Sequence, residues 1–139
     1  MSRILAVDWG QRRIGVAITD ATGTLPRPLP TLEVTGFRDA LRQLSHVARD
    51  EDVTRVVMGL PRLKSGEGES ARRARKLGKG LEARGYPVVY LDETLTSDDA
   101  RRWLRERGET SPKSGRIDQV AALLILQEYL AGETGESHA

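Results

Sequence analysis

Branched aliphatic side chains near the start of the chain come in short runs divided by polar turns, which is the pattern of strands. Further on they settle into the three-to-four residue spacing of helices. The runs RILAVD (Arg3–Asp8) and IGVAITD (Ile14–Asp20) flank the polar stretch WGQRR and are followed by ATGT, which predicts an antiparallel pair of strands. In TLPRPLPTLEV three prolines rule out a central strand, and Thr31–Val34 reads as a short edge strand closing a meander. From Gly36 onward Phe37, Leu41, Leu44 and Val47 or Ala48 share one face of an amphipathic helix.

The second half alternates the two patterns. RVVMGLP (Arg55–Pro61) has the continuous apolar character of a buried strand, and ARRARKLGKGLEARG repeats Ala71, Ala74, Leu77 and Leu81 on one helical face. PVVYLDE is a third aliphatic strand and ends in two acids. TSDDARRWLRERG then carries hydroxyl caps, Asp98 and Asp99 in its first turn, arginines toward its end and Gly108 as a stop, all signs of a helix. IDQVAALLILQEYLAG, residues 117–132, is the last and most apolar helix, and residues 133–139 read as a flexible tail. Strands followed by alternating helix and strand describe an α/β layer fold with a mixed sheet, its later strands parallel and joined by right-handed crossovers.

Length and composition narrow the function. The 139 residues suit one domain, 1–132, with no room for a second catalytic domain or the second lobe of an actin-like kinase. With 38% hydrophobic and 30% charged residues, no basic-then-apolar leader and no run approaching the ~20 residues that cross a bilayer, the chain reads as a cytoplasmic globular protein without membrane contact. It has no cysteine, so thiolate metal sites and thiol nucleophiles are excluded.

Ligands of open α/β sheets sit beyond the carboxyl ends of the strands. Asp8 ends the first strand, Asp92 and Glu93 end the last, and Asp118 falls in the first turn of the final helix. Each alone has an ordinary reading: an Asx turn for Asp8, a dipole partner for Asp118. Asp92 and Glu93 point to opposite sides of a strand, and periodicity does not choose between them. Carboxylates gathered on one sheet edge repel unless a cation joins them, and all-oxygen ligands suit Mg2+ or Mn2+. Two such ions ~3.5–4 Å apart can clamp the attacking and leaving oxygens of a phosphodiester.

The stretches DWGQRRIGVA, GLP, DETLTS and GRIDQVAALLILQEYL occur in an order and spacing that resemble the YqgF (RuvX) family of pre-16S rRNA nucleases and Holliday junction resolvase-like proteins, over almost the whole chain. The resemblance implies an RNase H-like fold: a five-stranded mixed sheet of order 3-2-1-4-5, antiparallel across strands 1-2-3 and then parallel, flanked by helices. It implies a metal-dependent nuclease that trims the 5′ end of precursor 16S rRNA, with Asp8, Glu93 and Asp118 as the metal-holding catalytic carboxylates. The same chemistry on four-way junctions or single-stranded DNA is an alternative, and a junction resolvase would act as a homodimer with paired sites. A non-catalytic RNA-binding factor is another. The chain departs from the family at Thr94, where relatives often have arginine.

Charge is lopsided despite a formal balance of +2. Between Arg62 and Arg84 eight basic residues face three acids, a local balance of +5. A basic run is ordinarily a solvated helix face, but beside a carboxylate site it suits a polyanion. Arg62, Lys64, Arg72, Arg73 and Lys76 are therefore candidates for nucleic-acid contact, together with Arg12, Arg13, Lys113 and Arg116. His46 and His138 have no relay partner, and Trp103 reads as core. Trp9, in the turn after Asp8, either packs under the site or touches a base.

Overall fold

Alternation along the first two strands decides how the sheet is layered. In the computed structural model, β1 (Arg3–Asp8) and β2 (Arg13–Thr19) pair antiparallel, from Leu5 against Ile18 to Asp8 against Gly15. Leu5 and Val7, with Ile14, Val16 and Ile18, face the larger core. Ile4, Ala6 and Ala17 face a second core on the other side. The structure describes residues 2–63, 66–93 and 97–135, with side chains except at Arg62, Leu63, Glu93, Ser97, Ser114 and positions 133–135.

Around this pair the strands are β3 (Pro26–Pro28), β4 (Leu32–Glu33), β5 (Val53–Leu63), β6 (Gly66–Glu67) and β7 (Val88–Glu93). β3 and β4 both lie antiparallel to β2, β5 runs parallel to β1, and β7 runs parallel to β5. This is the five-stranded order that the family resemblance implied, with its third strand in two pieces and with β6 added as a short hairpin on the end of β5.

The helices are α1 (Phe37–Asp50), α2 (Glu69–Ala83), α3 (Ser97–Glu106) and α4 (Ser114–Gly135). Both crossover helices lie on the larger core, α1 through Ala40, Leu44 and Ala48, and α2 through Ala71, Ala74, Leu77 and Leu81. On the other side α4 buries Ala122, Ile125, Leu126 and Tyr129. α3 packs against α4 through Ala100, Leu104 and Val120, and Trp103 joins this contact with the Arg107 guanidinium 3.6 Å from its ring centre.

The edge strand begins earlier than Thr31, within the proline-rich segment. Leu29 N–H donates to the Val16 carbonyl at 2.9 Å, and Pro28 and Pro26 fall on alternate positions. The prolines therefore set their missing donors away from β2, the one arrangement in which proline suits a strand. β5 is longer than Arg55–Pro61 because it continues into the β6 hairpin, and α4 starts three residues before Ile117.

Candidate active site

Strand parity sends Asp8 to the α4 side, two positions beyond Ala6. Its partner across the ladder is Gly15, where a Cβ would stand 2.0 Å from the Asp118 carbonyl oxygen. Only glycine lets the first turns of α4 rest on the backbone of β2. Two further ties hold that end of the helix. The Thr31 hydroxyl donates to the Gly115 carbonyl at 2.6 Å, and Gln119 Nε2 donates to the Leu29 carbonyl at 2.8 Å.

These contacts bring two carboxylates from opposite ends of the chain into electrostatic reach. Burial pushes the Asp8 carboxyl up to about 7, and the charge of Asp118 adds to the shift. Asp118 is balanced by Arg13, whose Nε donates to its Oδ2 at 2.9 Å. Arg13 serves Asp118 alone, and among the described residues no ion pair reaches Asp8, so the two acids together remain short of positive charge and a hard cation fits that donor set.

Asp92 does not share the pocket. Val88 and Tyr90 pack on the α1–α2 side and Val89 and Leu91 on the α4 side, so Asp92 faces α2. There Arg75 is held in its charged form chiefly by hydrogen bonds to Glu67 at 2.7 and 2.5 Å, with smaller help from Asp92. Alternation leaves strand position 93, paired with Pro61, on the side of Asp8. The Glu93 side chain lies outside the described residues, and among those described no group of three histidines or acids gathers to hold a metal.

A trough crosses this end of the sheet. One section runs past Lys113, Arg116 and Thr31 to Arg13, and a second runs from Arg13 and Arg12 to Arg73. Of the basic candidates, Arg12, Arg13, Arg73, Lys113 and Arg116 line it. Arg116 is also engaged with Glu109 at 3.0 and 3.2 Å. Arg72 and Arg73 both pair with Glu69, at 3.0 and 3.2 Å. Lys76 lies beyond the trough with its Nζ 4.6 Å from the Phe37 ring centre. The Arg62 side chain, Lys64 and Thr94 lie outside the described residues.

Sequence reading missed Gly15, although a glycine inside an aliphatic strand is a signal of close backbone approach. It also missed the Arg13–Asp118 pair, which joins residues 105 positions apart and leaves no local trace.

A sequence model of the RuvX family, described as Holliday junction resolvase, matches residues 2–132. The chain belongs to the RuvX family. It is thereby a member of a group of nucleases, hydrolases of phosphodiester bonds. One RuvX relative, from Chloroflexus aurantiacus, is 42% identical over 130 residues, covering 91% of this chain and 85% of its own. Another, from Anaeromyxobacter dehalogenans, is 43% identical over 131 residues, covering 92% and 96%. Both bear the name "Putative pre-16S rRNA nuclease". Among solved structures, T. thermophilus RuvC in complex with a Holliday junction substrate superposes with a TM-score of 0.64 at 12% identity, covering 99% of this chain and 98% of that one. Fowlpox virus resolvase with Holliday junction DNA gives 0.58 at 16%, covering 94% and 97%. At such identities the likeness speaks for the fold alone, which is RNase H-like as the RuvX resemblance implied.

Proposed function

We propose that this protein is a divalent-metal-dependent nuclease that uses Asp8, Glu93 and Asp118 to process the 5′ end of precursor 16S rRNA in the cytoplasm, as a single domain spanning residues 1–132. The observation that carries the reading is the Asp8–Asp118 pair, short of positive charge and joined through Arg13 to a trough in which five basic side chains outnumber the acids Glu33 and Glu109. The oxygen-only donor set favours Mg2+ or Mn2+. When bound, such ions lower the pKa of an attacking water and neutralise charge on the phosphodiester.

The protein's own residues supply placement. Asp8 can release its proton to solvent and would then offer a carboxylate to a cation near neutral pH, because its carboxyl titrates about there. Arg13 holds Asp118 in position, and Thr31 and Gln119 hold the helix that carries it. Arg12, Arg13, Arg73, Lys113 and Arg116 span the trough as contacts for successive phosphates, with Arg62, Lys64, Arg72 and Lys76 as outer contacts. Hydrolysis in line with the leaving 3′ oxygen gives a 5′-phosphate and a 3′-hydroxyl. The choice of precursor rRNA rests on the names of the relatives.

The test is cleavage of end-labelled precursor 16S rRNA with each metal by the parent protein, Asp8→Asn and Asp118→Asn. A loss of at least ~100-fold is expected in each variant, and activity equal to the parent's would overturn the assignment. A four-way DNA junction belongs in the same panel, because the family description favours it as a second reading. Symmetric paired cuts by a homodimer would move the substrate there.

A further inference from the structure

The carboxylate site leaves one hollow at this end of the sheet without a task. It lies on the α1–α2 side, about 170 Å3 in volume, and is walled by Trp9, Phe37 and Leu77 with Gln11, Arg73 and Lys76 around it. Trp9 directly follows Asp8, so one wall of the hollow is carried by the next residue in the chain, on the opposite face of the sheet from the carboxylate. Gln11 and Arg73 also line the trough, which makes hollow and trough continuous. The indole Nε1 of Trp9 is closed off from solvent and has no hydrogen-bond partner among the described residues, so Trp9 presents ring rather than N–H to the hollow.

These features specify an occupant. The volume is well below the ~300 Å3 at which pockets for drug-sized ligands begin. A single planar ring system fits it, and a base pair does not. The walls are apolar and aromatic while the surrounding cations are placed for phosphate. We propose that the hollow receives one unpaired nucleobase, from the nucleotide beside the scissile phosphate, stacked on the Phe37 ring in place of the Lys76 ammonium that now lies over it, while Lys76 and Arg73 turn from Phe37 and Glu69 to the flanking phosphates. The strand thus crosses the sheet edge from the α4 side, where the carboxylates lie, to the α1–α2 side, where a base is held. The inference rests on the nuclease reading for the path of the strand, and it narrows the substrate to one that is single-stranded or frayed at the cut.

Binding is measured in EDTA, so that turnover does not enter. Labelled RNA hexanucleotides are titrated by fluorescence anisotropy as the intact strand, as a set with an abasic nucleotide at each position, and as a blunt duplex. The intact strand is expected to bind roughly 5- to 100-fold more tightly than one abasic member of the set, and Phe37→Leu to erase that difference. Equal affinity for intact and abasic strands, or an equal loss for both in Phe37→Leu, would overturn the proposal. Melting curves establish that Phe37→Leu is folded. Trp103→Phe leaves Trp9 as the only tryptophan, and its emission should change with the intact strand and remain unchanged with that abasic strand. Cleavage is read separately. Base-dependent binding without turnover in metal keeps the hollow and removes the nuclease, whereas turnover without base dependence keeps the nuclease and removes the hollow.

Discussion

Asp8 is held at a cost to the fold. Its carboxyl titrates at about 7 in the folded protein, against ~3.9 when unperturbed. Between those values the unfolded chain has already released a proton that the folded chain keeps. The stabilising contribution is therefore fully present below about pH 4 and is lost as pH rises to about 7. Asp8→Asn removes this titration, so in EDTA at pH 8 the variant should exceed the parent in stability by on the order of 2 kcal/mol, with a smaller gap at pH 5. Urea melts at the two pH values check this, and a gap independent of pH would contradict it. Gly15 makes the complementary case. A methyl group there meets the Asp118 backbone, which cannot fold away, so Gly15→Ala should lower turnover by about 100-fold and cost ~1–3 kcal/mol of stability. Kinetics and thermal melting on the same preparation measure both. Asp8 and Asp118 were visible in the sequence as types of residue, but their approach depends on a missing side chain in a third segment.

At the scale of elements, the sequence was most legible where one pattern acted alone. The inner faces of α1 and α2 and the aliphatic β1, β2 and β5 follow from periodicity because burial, with nothing opposing it, decided them. The start of the edge strand was hidden because Pro26 and Pro28 argue against a strand until it is known which side of it is bonded. Asp92 and Glu93 could not be ranked by the residues alone, since parity needs an anchor. Val88 and Tyr90 on one side, Val89 and Leu91 on the other, supply it only once packed. The seat of α2 on β7 gives a further test. A Cβ at Gly78 would lie 2.3 Å from the Tyr90 hydroxyl and 2.9 Å from its ring, whereas one at Gly80 would meet the flexible end of Leu41. Alanine is a better helix former than glycine by about 1 kcal/mol. Gly80→Ala should consequently be near neutral or mildly stabilising, and Gly78→Ala should destabilise by about 1–3 kcal/mol. Chemical denaturation of the pair reads the contrast directly.

Over the whole molecule, charge is arranged more tellingly than it is totalled. Many basic side chains on the helices are matched locally, Arg75 by Glu67, Arg116 by Glu109, Arg101 by Asp98 and Arg102 by Asp99. Single-strand RNA affinity should fall steeply with salt. Lys113→Ala should reduce the slope of log affinity against log salt by roughly 0.7, the value of one single-strand phosphate contact. Arg101→Ala, at a side chain paired with Asp98 and outside the trough lining, should leave the slope unchanged. Anisotropy titrations from 50 to 200 mM salt, on the order of the range in which such effects are large, separate the two.

The pairing of Asp8 with Asp118 also bears on synthesis. One carboxylate is translated with β1 and the other only later with α4, which in addition covers one face of β1 and β2. A nascent or truncated chain lacking residues 114–135 has a bare sheet and half of a site. On the proposed reading, competence to cleave arises only once α4 has docked, and a fragment without it should leave nucleic acid intact.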